Sequence, residues 1–119
     1  MTVNMVDYLV ESNKVNNYNK ETAVNYLVAA MDVITEKEKA LNKLNRVKKS
    51  VIWANLMSQL YQDYYNVVIR EQFYELNRTV GKKLVEEGID RRTFENFKKA
   101  IENYINMLTT LESKINACL

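Results

Sequence analysis

The stretch Leu84 to Phe94, LVEEGIDRRTF, ends one helix and begins another. Gly88 suits the position just past a helix end, where the backbone turns left-handed and a side chain would be penalised. Ile89 follows and can fold back on Leu84, the contact expected of a Schellman ending. Asp90 is of the type that caps a helix N-terminus, and Ile89 and Phe94 have the spacing of a hydrophobic staple. Stop and start signals therefore meet within Gly88–Asp90. They predict a tight turn between two antiparallel helices.

Downstream of that turn, Phe94, Phe97, Ile101, Tyr104, Leu108, Leu111, Ile115 and Cys118 recur at alternating steps of three and four. This is the a/d seam of a heptad, and it fits a helix over 91–117. One helix of an antiparallel bundle uses the same geometry as an intermolecular coiled coil. The short turn at Gly88 supplies a partner helix and favours the bundle.

Upstream, residues 21–80 contain neither glycine nor proline. A single helix from Lys20 to Glu87 would be ~100 Å long, against the usual run of helix lengths. Two breaks fit the pattern. Thr35-Glu36-Lys37-Glu38 has capping-box spacing, with Glu38 interrupting the apolar stripe Val24, Leu27, Met31 and Ile34. Ser50 is the preferred alternative, because Arg46, Lys48 and Lys49 would then occupy the last turn of the preceding helix. Before these, Ser12–Asn19 reads as a polar loop with Asn19 as an N-cap. Val6, Leu9 and Val10 make one face of a short N-terminal helix. The expected fold is thus all-α, a single domain over 1–119. Three long helices at about 20–48, 51–87 and 91–117 form an antiparallel bundle beside the short one.

Composition agrees with this class. The chain has 119 residues, no proline, two glycines and 47% hydrophobic residues, too few turn formers for an all-β fold. One cysteine, Cys118, excludes an internal disulfide, and an intracellular, cytoplasmic setting is the expectation. No window approaches 18 apolar residues, so no membrane partner is expected. Heavy use of asparagine, lysine, tyrosine and isoleucine suits an AT-rich coding sequence, as in many phages, archaeal viruses and low-GC microbes.

The middle helix is ring-rich: Trp53, Tyr61, Tyr64, Tyr65, Phe73 and Tyr74 fall within 22 residues. On a helical wheel, Trp53 to Val68 is apolar over more than half the circumference, which marks a central helix or one covered by another subunit. Tyr61, Tyr65, Ile69, Phe73 and Leu76 recur at core spacing. The rings are therefore read as core or protein interface, ahead of a small-molecule pocket or a base-stacking platform.

Histidine is absent, which removes the imidazole-dependent triads and the Glu-x-x-His pair of di-iron bundles. Two isolated glycines make no phosphate loop, and one cysteine holds no structural zinc. No catalytic residue, cofactor site or metal site is expected, and an enzyme is disfavoured. Charge offers one inconsistency. Arg91 and Arg92 open a helix, where the macrodipole disfavours cations. With Lys82 and Lys83 they form a basic corner for phosphate or an acidic partner, unless Glu86, Glu87 and Glu95 neutralise it. Arg46, Lys48 and Lys49 make a second cluster, placed by the predicted topology at the opposite end. The leading expectation is a non-enzymatic helical module that acts by oligomerisation or by docking to a partner protein. The alternative is a nucleic-acid-binding subunit of a nucleoprotein assembly using both basic clusters.

Overall fold

The structure is a computed structural model and describes residues 19–119. The short N-terminal helix expected from Val6, Leu9 and Val10 lies outside them. The described residues are all-α, with no strand among them: α1 (Lys20–Asn45), α2 (Val51–Tyr64), α3 (Val67–Leu76), a π-helical turn (Asn77–Gly81), α4 (Lys82–Glu86) and α5 (Arg91–Asn116).

Local chemistry sets most of the boundaries. The Asn19 carboxamide accepts from the Thr22 amide at 2.8 Å and starts α1. This helix runs through Thr35 without interruption and stops at Asn45, three residues before the expected end, where the Arg46 and Val47 amides turn back to Lys43 and Leu44. Ser50 Oγ accepts from the Trp53 amide at 3.1 Å and starts α2, as preferred from the sequence. At the other end, the Gly88 amide donates to the carbonyls of Lys83 and Leu84, both at 3.1 Å, and its φ is 84°. Asp90 caps α5 by accepting from the Thr93 amide at 3.3 Å.

The expected unbroken helix over 51–87 is corrected twice. Tyr65 and Asn66 are extended and separate α2 from α3, and the wider π turn follows after Leu76. Each interruption shifts the phase of the wheel, so a constant 100° per residue no longer tracks one face. The middle segment is accordingly not the central one. That place belongs to α5, which buries eleven residues and packs against α1, α2 and α3. Its seam is buried from Phe94 to Ile115, whereas Cys118 lies beyond the end of α5 at Asn116, is exposed and donates to the Lys114 carbonyl.

Contacts give the direction of each element. Tyr26 meets Phe94 edge-on at 5.7 Å, Glu38 meets Tyr104, and Lys37 pairs with Glu112, so α1 and α5 advance together. The middle segment runs the other way: the Asn66 amide meets Met107, Phe73 stacks on Tyr104 at 4.8 Å, and Gly81 lies beside Phe97.

Between α1, α3 and α5, Oε2 of the half-buried Glu38 accepts from the Tyr74 hydroxyl at 2.9 Å and the Tyr104 hydroxyl at 2.8 Å. The acid that interrupts the apolar stripe of α1 is therefore the acceptor for two tyrosines on two other elements. Burial, and then donation to Glu38, pushes the Tyr104 and Tyr74 hydroxyls above the ordinary tyrosine range. Burial also raises Tyr26, with the charges of Glu102 and Glu95 adding to it.

Two outcomes follow from these contacts. Gly88→Ala places a side chain in the left-handed region and should lower unfolding free energy by about 1–2 kcal/mol in urea titration. Above the unfolded tyrosine pKa of about 10, the unfolded chain releases protons that the folded chain keeps. Stability is then full below pH ~10 and falls as pH rises beyond it. In denaturation series across that range, Tyr104→Phe should show a shallower alkaline decline than the wild type.

Candidate interaction surface

The bend between α2 and α3 is built from ordinary residues, with no glycine or proline. The Tyr65 amide closes α2 by donating to the Tyr61 carbonyl at 2.9 Å. Asn66 then does three things. Its carboxamide oxygen accepts from the amides of Val68 at 2.9 Å and Ile69 at 3.4 Å, which starts α3. Its carbonyl accepts from the Arg70 amide at 3.2 Å. Its own amide donates to Met107 Sδ at 3.0 Å, across to α5. The amides of Tyr65, Asn66, Val68, Ile69 and Arg70 are thus partnered across the break, and these bonds hold the elbow in place.

Fixing the elbow this way turns the first residues of α3 outward. Val67 is 54% exposed and Val68 71%, and Tyr64 stands beside them at 36% with the Lys114 ammonium 5.2 Å from its ring centre. A hollow of about 420 Å³ lies at the bend, lined from Gln62 to Val68. A second of about 640 Å³ adjoins it through Val68 and extends along Arg70, Tyr74, Glu75 and Arg78. In it the Arg70 guanidinium lies over the Tyr74 ring at 5.0 Å, and Arg78 pairs with Glu75. The surface therefore offers aliphatic side chains, one ring edge and paired charges in a continuous strip, a composition suited to recognition by contact.

The ring residues divide by depth. Trp53 and Phe73 are buried, Tyr61, Tyr65 and Tyr74 are half-buried against the core, and Tyr64 is exposed. The expectation of core or interface rings thus meets a graded series, with Tyr64 on the outer edge. Tyr61 and Tyr65 touch each other at 5.5 Å, one on each side of the end of α2.

All seven basic candidates are exposed, in two separate groups. Lys82, Lys83, Arg91 and Arg92 flank the Gly88 turn, where Lys20 donates to the Glu86 carbonyl at 3.1 Å. Thr93 hydrogen bonds, and to a lesser degree the Arg92 charge, hold the Asp90 carboxyl below its usual range, so the cap also offsets the cations that open α5. Glu95 pairs instead with Lys98 at 3.4 Å. Arg46, Lys48 and Lys49 sit at the far end of α1, with the Lys48 ammonium 5.1 Å from the Trp53 ring centre. The structure does not bring the two groups together.

The sequence reading missed the elbow. Its signal was Asn66, a capping residue followed by the aliphatic run Val67-Val68-Ile69. Among the described residues no helix is long and apolar enough to cross a membrane. The chain matches no family model, no curated protein and no solved structure.

Because Asn66 caps α3 through its side-chain oxygen, Asn66→Ala should destabilise the fold by about 1 kcal/mol, whereas Asn66→Asp should keep most of the stability. Paired urea unfolding curves measure the difference.

Proposed function

We propose that this chain is a helical interaction module, an up-down-up bundle that works by docking and not by turnover, with the α2–α3 elbow as its protein-facing surface. The observation that carries the reading is the outward placement of Val67 and Val68, 54% and 71% exposed, in a helix start locked by Asn66 and Met107. Adjacent aliphatic residues held rigidly in water gain free energy when a partner covers them. The neighbouring hollows supply room for a partner's side chains and polar groups for its rim. Such a module needs no cofactor.

Binding of nucleic acid along the bundle is the less favoured reading. It relied on Arg91, Arg92, Lys82 and Lys83 acting with Arg46, Lys48 and Lys49, and these groups flank opposite ends of α1. Base stacking also asks for open rings beside a basic groove, and most rings here turn toward the core.

Two measurements test the elbow. Sedimentation over a concentration series reads self-association against the 14.0 kDa protomer. A photo-reactive amino acid at Val68, compared with one at exposed Ser58, reads a partner protein in the native host. We expect either a mass above the protomer that Val67→Lys/Val68→Lys reduces at least tenfold in association constant, or an adduct specific to position 68. A monomer with no position-specific adduct would rule the proposal out.

A further inference from the structure

The modest net charge of +2 conceals a strong segregation. Residues 39–62 hold five cations, Lys39, Lys43, Arg46, Lys48 and Lys49, and no aspartate or glutamate, against twelve basic and fifteen acidic residues in the rest of the chain. Among the described residues, Lys43, Arg46, Lys48 and Lys49 form no ion pair. Lys39, Lys43 and Arg46 share one face of α1 at steps of four and three, and that face leads to the connection between α1 and α2. There the three aliphatic residues Val47, Val51 and Ile52 are 54%, 77% and 82% exposed. They fall within six residues of one another, interleaved in sequence with the exposed Arg46, Lys48 and Lys49, and with them form an aliphatic and cationic patch at this connection.

This patch projects. A side chain lining a groove loses most of its exposure, and exposures near 80% at Val51 and Ile52 belong to groups standing out from the surface. They also stand at one end of the described residues: α1 is 26 residues long, its first residue bonds to Glu86 beside the Gly88 turn, and its last precedes the patch. The longest dimension of the molecule is 50 Å.

We propose that this end docks on an anionic lipid surface, with Val47, Val51 and Ile52 entering the headgroup–acyl boundary while Lys43, Arg46 and Lys49 meet lipid phosphates. Each half of the patch matches one half of that surface. Exposed aliphatics gain from the acyl boundary, and unpaired cations gain from the negative surface potential. Nucleic acid matches only the second half: phosphates offer nothing to projecting aliphatics, and Trp53, which follows Ile52, is 4% exposed and cannot stack on a base. Surface docking requires no spanning helix, so it is compatible with the lengths and hydropathy of the described helices. The site is separate from the elbow and does not depend on it.

The test is co-flotation with vesicles of phosphatidylcholine and phosphatidylserine in equal parts, against vesicles of phosphatidylcholine alone and against single-stranded oligothymidylate at the same salt. Two paired variants, Val51→Asn/Ile52→Asn and Arg46→Gln/Lys49→Gln, alter only exposed positions, and circular dichroism checks that each is folded. We expect partition onto the anionic vesicles, salt-sensitive and at least tenfold weaker on phosphatidylcholine alone. Removing two cations should weaken it roughly 25-fold, at about fivefold per charge, and the aliphatic pair should weaken it about tenfold or more. Absence of partition overturns the proposal. So does partition unchanged by the aliphatic pair, which marks plain charge attraction, and so does tighter binding to the oligonucleotide than to the vesicles.

Discussion

The hydroxyls of Tyr74 and Tyr104 converge on one oxygen of Glu38, and the three residues come from three different elements. Removing a carboxylate from water is costly unless hydrogen-bond donors replace the solvent. Two phenols supply them here. Tyr104 is fully buried and stacks on Phe73, and Tyr74 meets both rings edge-on. The acceptor thus fixes the position of the largest cluster of rings in the core. Sliding α1 by one residue would separate the acid from both donors, whereas a purely aliphatic seam tolerates small slips. Polar specificity at this point sets the register for the apolar packing on either side.

That register dictates where the surface features fall. With α5 at the hub and α1 aligned beside it, the middle segment has to reach α5 along its whole length from the α1–α2 connection to the Gly88 turn. It does so in two pieces. The amide of Asn66 is anchored on Met107, and the bend there leaves Val67 and Val68 outside. At the start of the same segment, Ser50 begins α2 with Val51 and Ile52 outside and Trp53 inside. Both exposed aliphatic pairs are therefore first-turn residues of capped helices. The cap determines which of the following side chains face the core, so two small polar residues, Ser50 and Asn66, position both surfaces.

Boundaries written in local chemistry were legible in the sequence. Asn19, Ser50, Gly88 and Asp90 act on backbone groups within a few residues, so their roles can be read without knowing the fold. The seam of α5 was equally legible as far as Ile115, because a heptad is a local pattern. Cys118 continued the spacing but not the burial, since α5 ends at Asn116 and the periodic pattern does not mark that end. The elbow escaped because no glycine or proline marks it and its second anchor, Met107, lies 41 residues away. Glu38 was read as an interruption because its two donors are 36 and 66 residues distant. The wheel for the middle segment failed for the same reason: the π turn and the extended pair at 65–66 are tertiary outcomes that a fixed period cannot represent. At the surface, the two basic clusters were visible as residues, but the aliphatic patch beside one of them emerged only from exposure.

Trp53 is the sole tryptophan of the chain, and its indole nitrogen is buried with no hydrogen-bond partner among the described residues, while the Lys48 ammonium lies over the ring. Indole emission shifts with the polarity and field around it, and here that environment is the cationic end of the molecule. The protein consequently carries an intrinsic optical probe at that end, one side chain away from Ile52, and events there register in its fluorescence without any label being attached.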